Sequence, residues 1–414
     1  MNTPYVKSEV KAVIDSTPVL DMHTHIYDTS FGDLLLWGID ELLTYHYLVA
    51  EVFRAAPMPY EEFWEWSKEK QADHVWKHLF LDRSPVSEAC LGVLTTLEAY
   101  GLDITSRDLE SYREFFRGTE AGDHMRLVFE KANVDTAVMT NDLFDPVEYE
   151  LWKSGVQYDP RFRAVLRMDL LLNDWDAASV KLAGWGYDVS AQLDGNSEGE
   201  IRRFLEEWIK KMDAVYLASS FSPAFVYPDE SVGTRILDKC VLPVARELGK
   251  PLALMIGVKR QVHPGLRLAG DGVGKADLSC VENLCREYPK NKFLVTVLSR
   301  ENQHELCVLA RKFSNLMIFG CWWFVNNPSI VEEITRERIE MLGLSMIPQH
   351  SDARVLDQLV YKWKHSRAII GEVLSNRYLK LQESGWRVSQ EEIERDVERL
   401  LSGNFEWFLD WDPS

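Results

Sequence analysis

Val19-Leu-Asp-Met-His-Thr-His-Ile26 decides how this chain is read. It has the composition of a buried strand, and it ends in two histidines one residue apart. Strand side chains alternate faces, so positions two apart share one. His23 and His25 can therefore reach a single point at the strand's C-terminal end, where a divalent metal could sit. A His-x-His pair is common by chance. Its weight here comes from its place on the first apolar strand of a long chain, whose remainder reads as a barrel holding that strand.

Seven further β-rich runs follow, at 134–140, 163–169, 214–219, 251–257, 292–299, 316–323 and 345–352. Continuous apolar runs of this length suit strands buried on both faces of a parallel sheet. Helical patterns lie between them. Ile201, Phe204, Leu205, Trp208, Ile209 and Met212 keep an amphipathic spacing behind a Ser197/Glu200 capping box. Ser329/Glu332 marks another helix, ending at Gly343, and Ser389/Glu392 a last one, ending at Gly403. The reading is α/β, a (β/α)8 TIM barrel formed by residues 1–26 and 134–414. An open doubly wound sheet is the alternative. Residues 27–133, rich in Trp, Tyr and Leu, read as a mostly helical insertion over the barrel mouth. No partner is legible for its His74, His78 and His124.

The 414 residues carry a formal charge of −19. Nucleic-acid binding demands a basic footprint and is not expected. An acidic small substrate is compatible, because charge is screened beyond about 8 Å and a few local arginines decide what a pocket binds. No run of about 18 apolar residues occurs, so no membrane span is expected, and the N-terminus lacks the apolar stretch of a signal peptide. The six cysteines are scattered without CxxC pairing. They read as reduced thiols of a cytoplasmic protein.

In such a barrel the chemistry sits at the C-terminal strand ends. The first strand offers His23 and His25, the third Arg167 and Asp169, the seventh Trp322-Trp323, and the eighth His350-Ser-Asp352-Ala-Arg354. Two imidazoles and the Asp352 carboxylate make a three-ligand site with open positions, as a catalytic metal requires. Plainer readings stand beside these: Arg167 could bridge to Asp169, and Trp322 and Trp323 could be one core and one rim aromatic. His46 and Tyr47, on an apolar helix, could be core residues.

His23-x-His25, the predicted helix Asp40-Glu-Leu-Leu-Thr-Tyr-His-Tyr-Leu-Val-Ala-Glu51, Gly320-Cys-Trp-Trp-Phe324 and Ser351-Asp-Ala-Arg354 together resemble the motifs of uronate isomerases, members of the amidohydrolase superfamily. The resemblance runs from about residue 15 to residue 405. It implies conversion of a hexuronate such as D-glucuronate or D-galacturonate to its ketouronate, one divalent metal, usually zinc, and a helical insertion after the first strand. A small-molecule sugar acid is then the partner, and a homo-oligomer is compatible. By that resemblance His23, His25 and Asp352 are metal ligands, and Asp352 also takes a hydroxyl proton during ring opening. Arg167 and Arg354 bind substrate, His46 and Tyr47 reach the site from the insertion, and Trp322 and Trp323 wall the sugar.

The chain departs from that pattern. Ala218-Ser-Ser-Phe221 replaces a histidine after the fourth strand, and Met255 replaces one on the fifth. Methionine does not substitute in an oxygen/nitrogen site. The sixth run ends in Ser299-Arg300, and no lysine bridges two metals, so a binuclear hydrolase is disfavoured. His350 is additional, and alternation would turn it toward Asp352 as a substitute ligand or base. Two alternatives follow: a mononuclear metal-dependent hydrolase or decarboxylase, and a non-catalytic sugar-acid binding protein.

Overall fold

The first seven apolar runs form strands in the computed structural model, which describes residues 3–412. They are β1 (Val19–Thr24), β2 (Val134–Asn141), β3 (Phe162–Arg167), β4 (Leu217–Phe221) and β5 (Leu252–Ile256), then β8 (Phe293–Val297) and β9 (Leu316–Ile318). All pair in parallel in the order β1-β2-β3-β4-β5-β8-β9. The architecture is mixed α/β, a curled parallel sheet with helices between its strands. The short β6 (Val258–Lys259) and β7 (Gly272–Val273) make a separate antiparallel ribbon after β5 that the sequence did not suggest.

The eighth run is not a regular strand. It makes one bridge, Phe319 to Ile347. Pro348 has no N–H to offer a ladder, and Asp352 has a left-handed φ of 51°. The run still touches both sheet edges. Ile347 N–H donates to Ile318 O at 3.0 Å, Asp352 N–H to His23 O at 3.1 Å, and His25 N–H to Ala353 O at 2.7 Å.

Inside the sheet's curl lie Leu20, Met22, Val138, Val165, Tyr216, Met255 and Phe319, all buried. Phe405 and Phe408 join this cluster from the helix Asn404–Asp410. The sequence reading stopped that segment at Gly403. There the backbone passes through a π-helical turn and continues.

Between β1 and β2 every regular element described is helical. The single helix expected over 40–51 is two, Ile39–Leu43 and His46–Ala55, broken where Tyr45 turns extended at φ −64°, ψ 145°. These helices build their own apolar cluster around Leu43, Val52, Phe63 and Val75. A buried carboxylate ties them to the long helix Gln358–Glu383. Asp357, fully buried, accepts from Tyr100 O–H at 2.6 Å and Gly38 N–H at 2.7 Å, and lies 2.6 Å from His124 Nε2.

Asp357→Ala strands three buried polar groups at once. Removing one partner of such a network costs about 3–5 kcal/mol. The expected result is a clearly lower urea midpoint. A midpoint matching the parent's would show that apolar packing alone holds these helices to the sheet.

Candidate active site

The β1 register slips between Asp21 and Thr24, and the imidazoles of His23 and His25 emerge together at its end. Their Nε2 atoms lie 3.6 and 3.4 Å from Asp352 Oδ1. Ligand atoms of all three residues fall within 4.8 Å of one another, the one such group of three found among the described residues. His23 is fully buried, and its Nε2 and the Asp352 Oδ1 have no hydrogen-bond partner. Buried polar atoms rarely go unpaired without cause. Burial, as the largest influence, lowers the His23 pKa to about 3 and that of His25 well below its usual value. Neutral imidazoles facing a carboxylate at contact distance fit a divalent cation, and they offer the nitrogen and oxygen donors that such ions take.

Around this point opens a cleft with about 550 Å³ of free space, lined by these three residues together with His46, Arg167, Trp322, Trp323 and Arg354. Arg167 is held by both oxygens of Asp169, each at 3.0 Å, so the plainer reading of that pair holds while the residue still faces the cleft. Arg354 is half-buried and has no carboxylate partner among the described residues. Trp322 is buried in the core; Trp323 stands at the rim, stacked on Phe324 with ring centroids 4.8 Å apart. Neither tryptophan lies on a strand, because β9 ends at Ile318 and Gly320 turns the chain at φ 61°.

Tyr47 is not among the cleft residues. Its hydroxyl donates to Trp323 O at 3.2 Å, and it lines a neighbouring cavity. Tyr45 faces the cleft instead, its ring 4.0 Å from that of His46. The break before His46 produces this exchange, and no residue pattern in 40–51 announced it. His350 does not join the ligand group. It packs behind His23, ring centroids 5.1 Å apart, with Phe319 at 5.3 Å. A Cβ on Gly320 would sit 1.6 Å from His350 Nδ1, so only glycine admits the ring. Also unforeseen were Arg260, Leu268 and Asp271, carried into the cleft by the ribbon loop.

Fold and site together define an α/β protein that gathers, at the C-terminal end of its first strand, three side chains able to hold a divalent cation. Solved structures carry the assignment further. The uronate isomerase of Bacillus halodurans is 55% identical, over 100% of this chain and 98% of that one, with a TM-score of 0.98. The chain belongs to the uronate isomerase family. A uronate isomerase of Thermotoga maritima (17% identity, TM-score 0.77, 98% and 97% covered) and a glucuronate isomerase of Caulobacter crescentus (13%, 0.77, 100% and 95%) share the fold. No family model and no curated protein matches the chain.

Burial also lowers the His46 pKa to about 3. Below the ordinary value of 6.5 the unfolded chain takes up protons that folded His23 and His46 refuse. Stability of the metal-free protein is therefore full above that value and falls as pH drops toward 3. His46→Phe should flatten the fall in urea titrations between about pH 4 and 7. An unchanged slope would remove His46 from the account.

Proposed function

We propose that this protein interconverts an aldohexuronate, of the D-glucuronate or D-galacturonate type, and its ketouronate. The observation that carries the reading is the convergence of His23, His25 and Asp352 in one cleft beside Arg354, which has no carboxylate partner among the described residues. The close likeness to a uronate isomerase supports it.

The guanidinium of Arg354 takes the substrate carboxylate, since its planar fork matches both oxygens. Trp323 offers an aromatic face to the sugar. Asp352 is placed to accept a hydroxyl proton as the ring opens. Moving a proton between neighbouring carbons needs a second group. His46 lines the cleft with its Nε2 unpartnered. Tyr47 stands directly behind it, ring centroids 4.5 Å apart, and reaches the substrate only by releasing Trp323 O. Arg167, fixed by Asp169, contributes a rigid donor rather than a free charge. The residues to hold the metal are His23, His25 and Asp352, and we propose zinc. When bound, such an ion polarises a substrate oxygen.

The same proposal extends to the architecture. The bonds of the eighth run to both sheet edges support a closed (β/α)8 barrel. The separate apolar cluster of the helices in 27–133, with Tyr45 and His46 at the cleft, supports an insertion covering its mouth. The proposed location is the cytoplasm, on the scattered cysteines.

Turnover of a small hexuronate panel, followed by proton NMR with metal content assayed alongside, tests the reading. Asp352→Asn should lower kcat by about 10²–10⁴-fold. Arg354→Met should mainly raise KM, by about 10- to 100-fold, the worth of a charge-assisted bond. A metal-loaded protein silent on every uronate would discard the isomerase in favour of a hydrolase or decarboxylase. Uronate binding without turnover would leave a binding protein.

A further inference from the structure

A hydroxyl group stands behind each of the two imidazoles. The Tyr216 hydroxyl oxygen is 3.3 Å from His23 Nδ1, and its own hydrogen goes to Met22 O at 2.8 Å. Thr140 Oγ1 is 2.9 Å from His25 Nδ1, and it donates to Thr24 O at 2.7 Å. A hydroxyl has one hydrogen. Each is spent on a carbonyl of β1, so toward the ring each oxygen can only accept. The ring must then present Nδ1–H, which leaves Nε2 as a bare lone pair.

We infer that Tyr216 and Thr140 are positioning residues that lock His23 and His25 in the Nδ1–H form and aim both Nε2 lone pairs at the cation beside Asp352. The inference rests on the metal reading of the site. The pattern is the same twice, from different parts of the sheet. Thr140 belongs to β2, the neighbour of β1. Tyr216 precedes β4 and reaches its ring through the interior. Phe405 meets the Tyr216 ring edge-on, centroids 6.0 Å apart, so the helix Asn404–Asp410 backs the His23 lock. The partnerless His23 Nε2 and Asp352 Oδ1 are what such a lock leaves: acceptors facing one point with no hydrogen between them.

The chemistry of the locks matters as well. A carboxylate behind a ligating imidazole raises its basicity. Here both partners are neutral oxygens. The imidazoles stay weaker donors, and a bound cation keeps more of its power to polarise a substrate oxygen.

Protein labelled with ¹⁵N-histidine and stripped of metal tests this directly, because imidazole ¹⁵N shifts report the tautomer. The wild type should show His23 and His25 as Nδ1–H. Tyr216→Phe should release His23 alone, Thr140→Val should release His25 alone, and Thr140→Ser should retain the lock. Chelator competition with Zn²⁺ should show affinity about 10- to 100-fold weaker for the Phe and Val variants and parent-like for Ser. Unchanged tautomers and affinities in both variants overturn the inference, as does an Nε2–H form in the wild type. A wild type with both locks in place that binds no divalent cation overturns the metal reading, and the purpose given to the locks with it.

Discussion

The site depends on one buried carboxylate inside the strand that carries it. Asp21 is fully buried in β1. It accepts from Ser351 N–H at 3.0 Å and from Trp363 Nε1–H at 2.8 Å. Burial lifts its pKa to about 6, and the bonds from Ser351 and Trp363 work against that rise. The eighth run needs this anchor, because Pro348 and the left-handed Asp352 deny it a normal ladder. Other side chains supply further missing bonds. Gln349 Oε1 accepts from Cys321 N–H at 2.8 Å and from His350 N–H at 3.1 Å. Buried Lys362 donates to Ser351 O at 2.6 Å. Buried polar groups left unpaired are expensive, so this set fixes the run in one path. That path brings Asp352 within reach of two histidines more than 300 residues earlier in the chain.

What the sequence made legible follows from this division. The seven strands of the main sheet were readable because burial on both faces writes itself as a continuous apolar run. The eighth run was located correctly, but its irregularity depends on Pro348 and on the φ of Asp352, which only the fold imposes. The capping boxes divide in the same way. Ser389/Glu392 forms, on an exposed helix whose start is a local matter. At Ser197/Glu200 both side chains are taken by the preceding loop instead: Ser197 Oγ accepts from Ser190 N–H and Glu200 Oε2 from Asp188 N–H, each at 2.9 Å. The box expected at Ser329 gives way to Asn327 ahead of Pro328. Propensity names a residue suited to a cap, and tertiary partners decide whether it is free to serve.

The site residues show the same limit. His23, His25 and Asp352 could be paired in advance because the barrel reading made the first and eighth runs neighbours, and the bonds from Asp352 N–H to His23 O and from His25 N–H to Ala353 O join the two. His124 and Asp357 could not, since 233 positions separate them and neither sits in a recognisable pattern. Tyr47 was named on the resemblance of the His46-Tyr47 pair to the family's motif, and nothing in the sequence of 40–51 pointed to Tyr45 beside it. On a helix neighbouring residues lie about 100° apart, so a break before His46 changes which phenol meets the cleft.

The charges of the cleft explain how an acidic chain can hold an acidic substrate. Three arginines line it, and two are already answered: Arg167 by Asp169 at 3.0 Å, Arg260 by Asp271 at 2.7 Å. Arg354 alone has no carboxylate partner among the described residues. The two paired arginines act as fixed donors, so the cleft's free charge is one guanidinium plus whatever the Asp352 carboxylate leaves of a divalent cation. A monoanionic sugar acid balances that arrangement better than a neutral substrate does. Met255, buried on the cleft wall in place of an imidazole, works in the same direction. Its thioether offers no nitrogen or oxygen donor to a second metal.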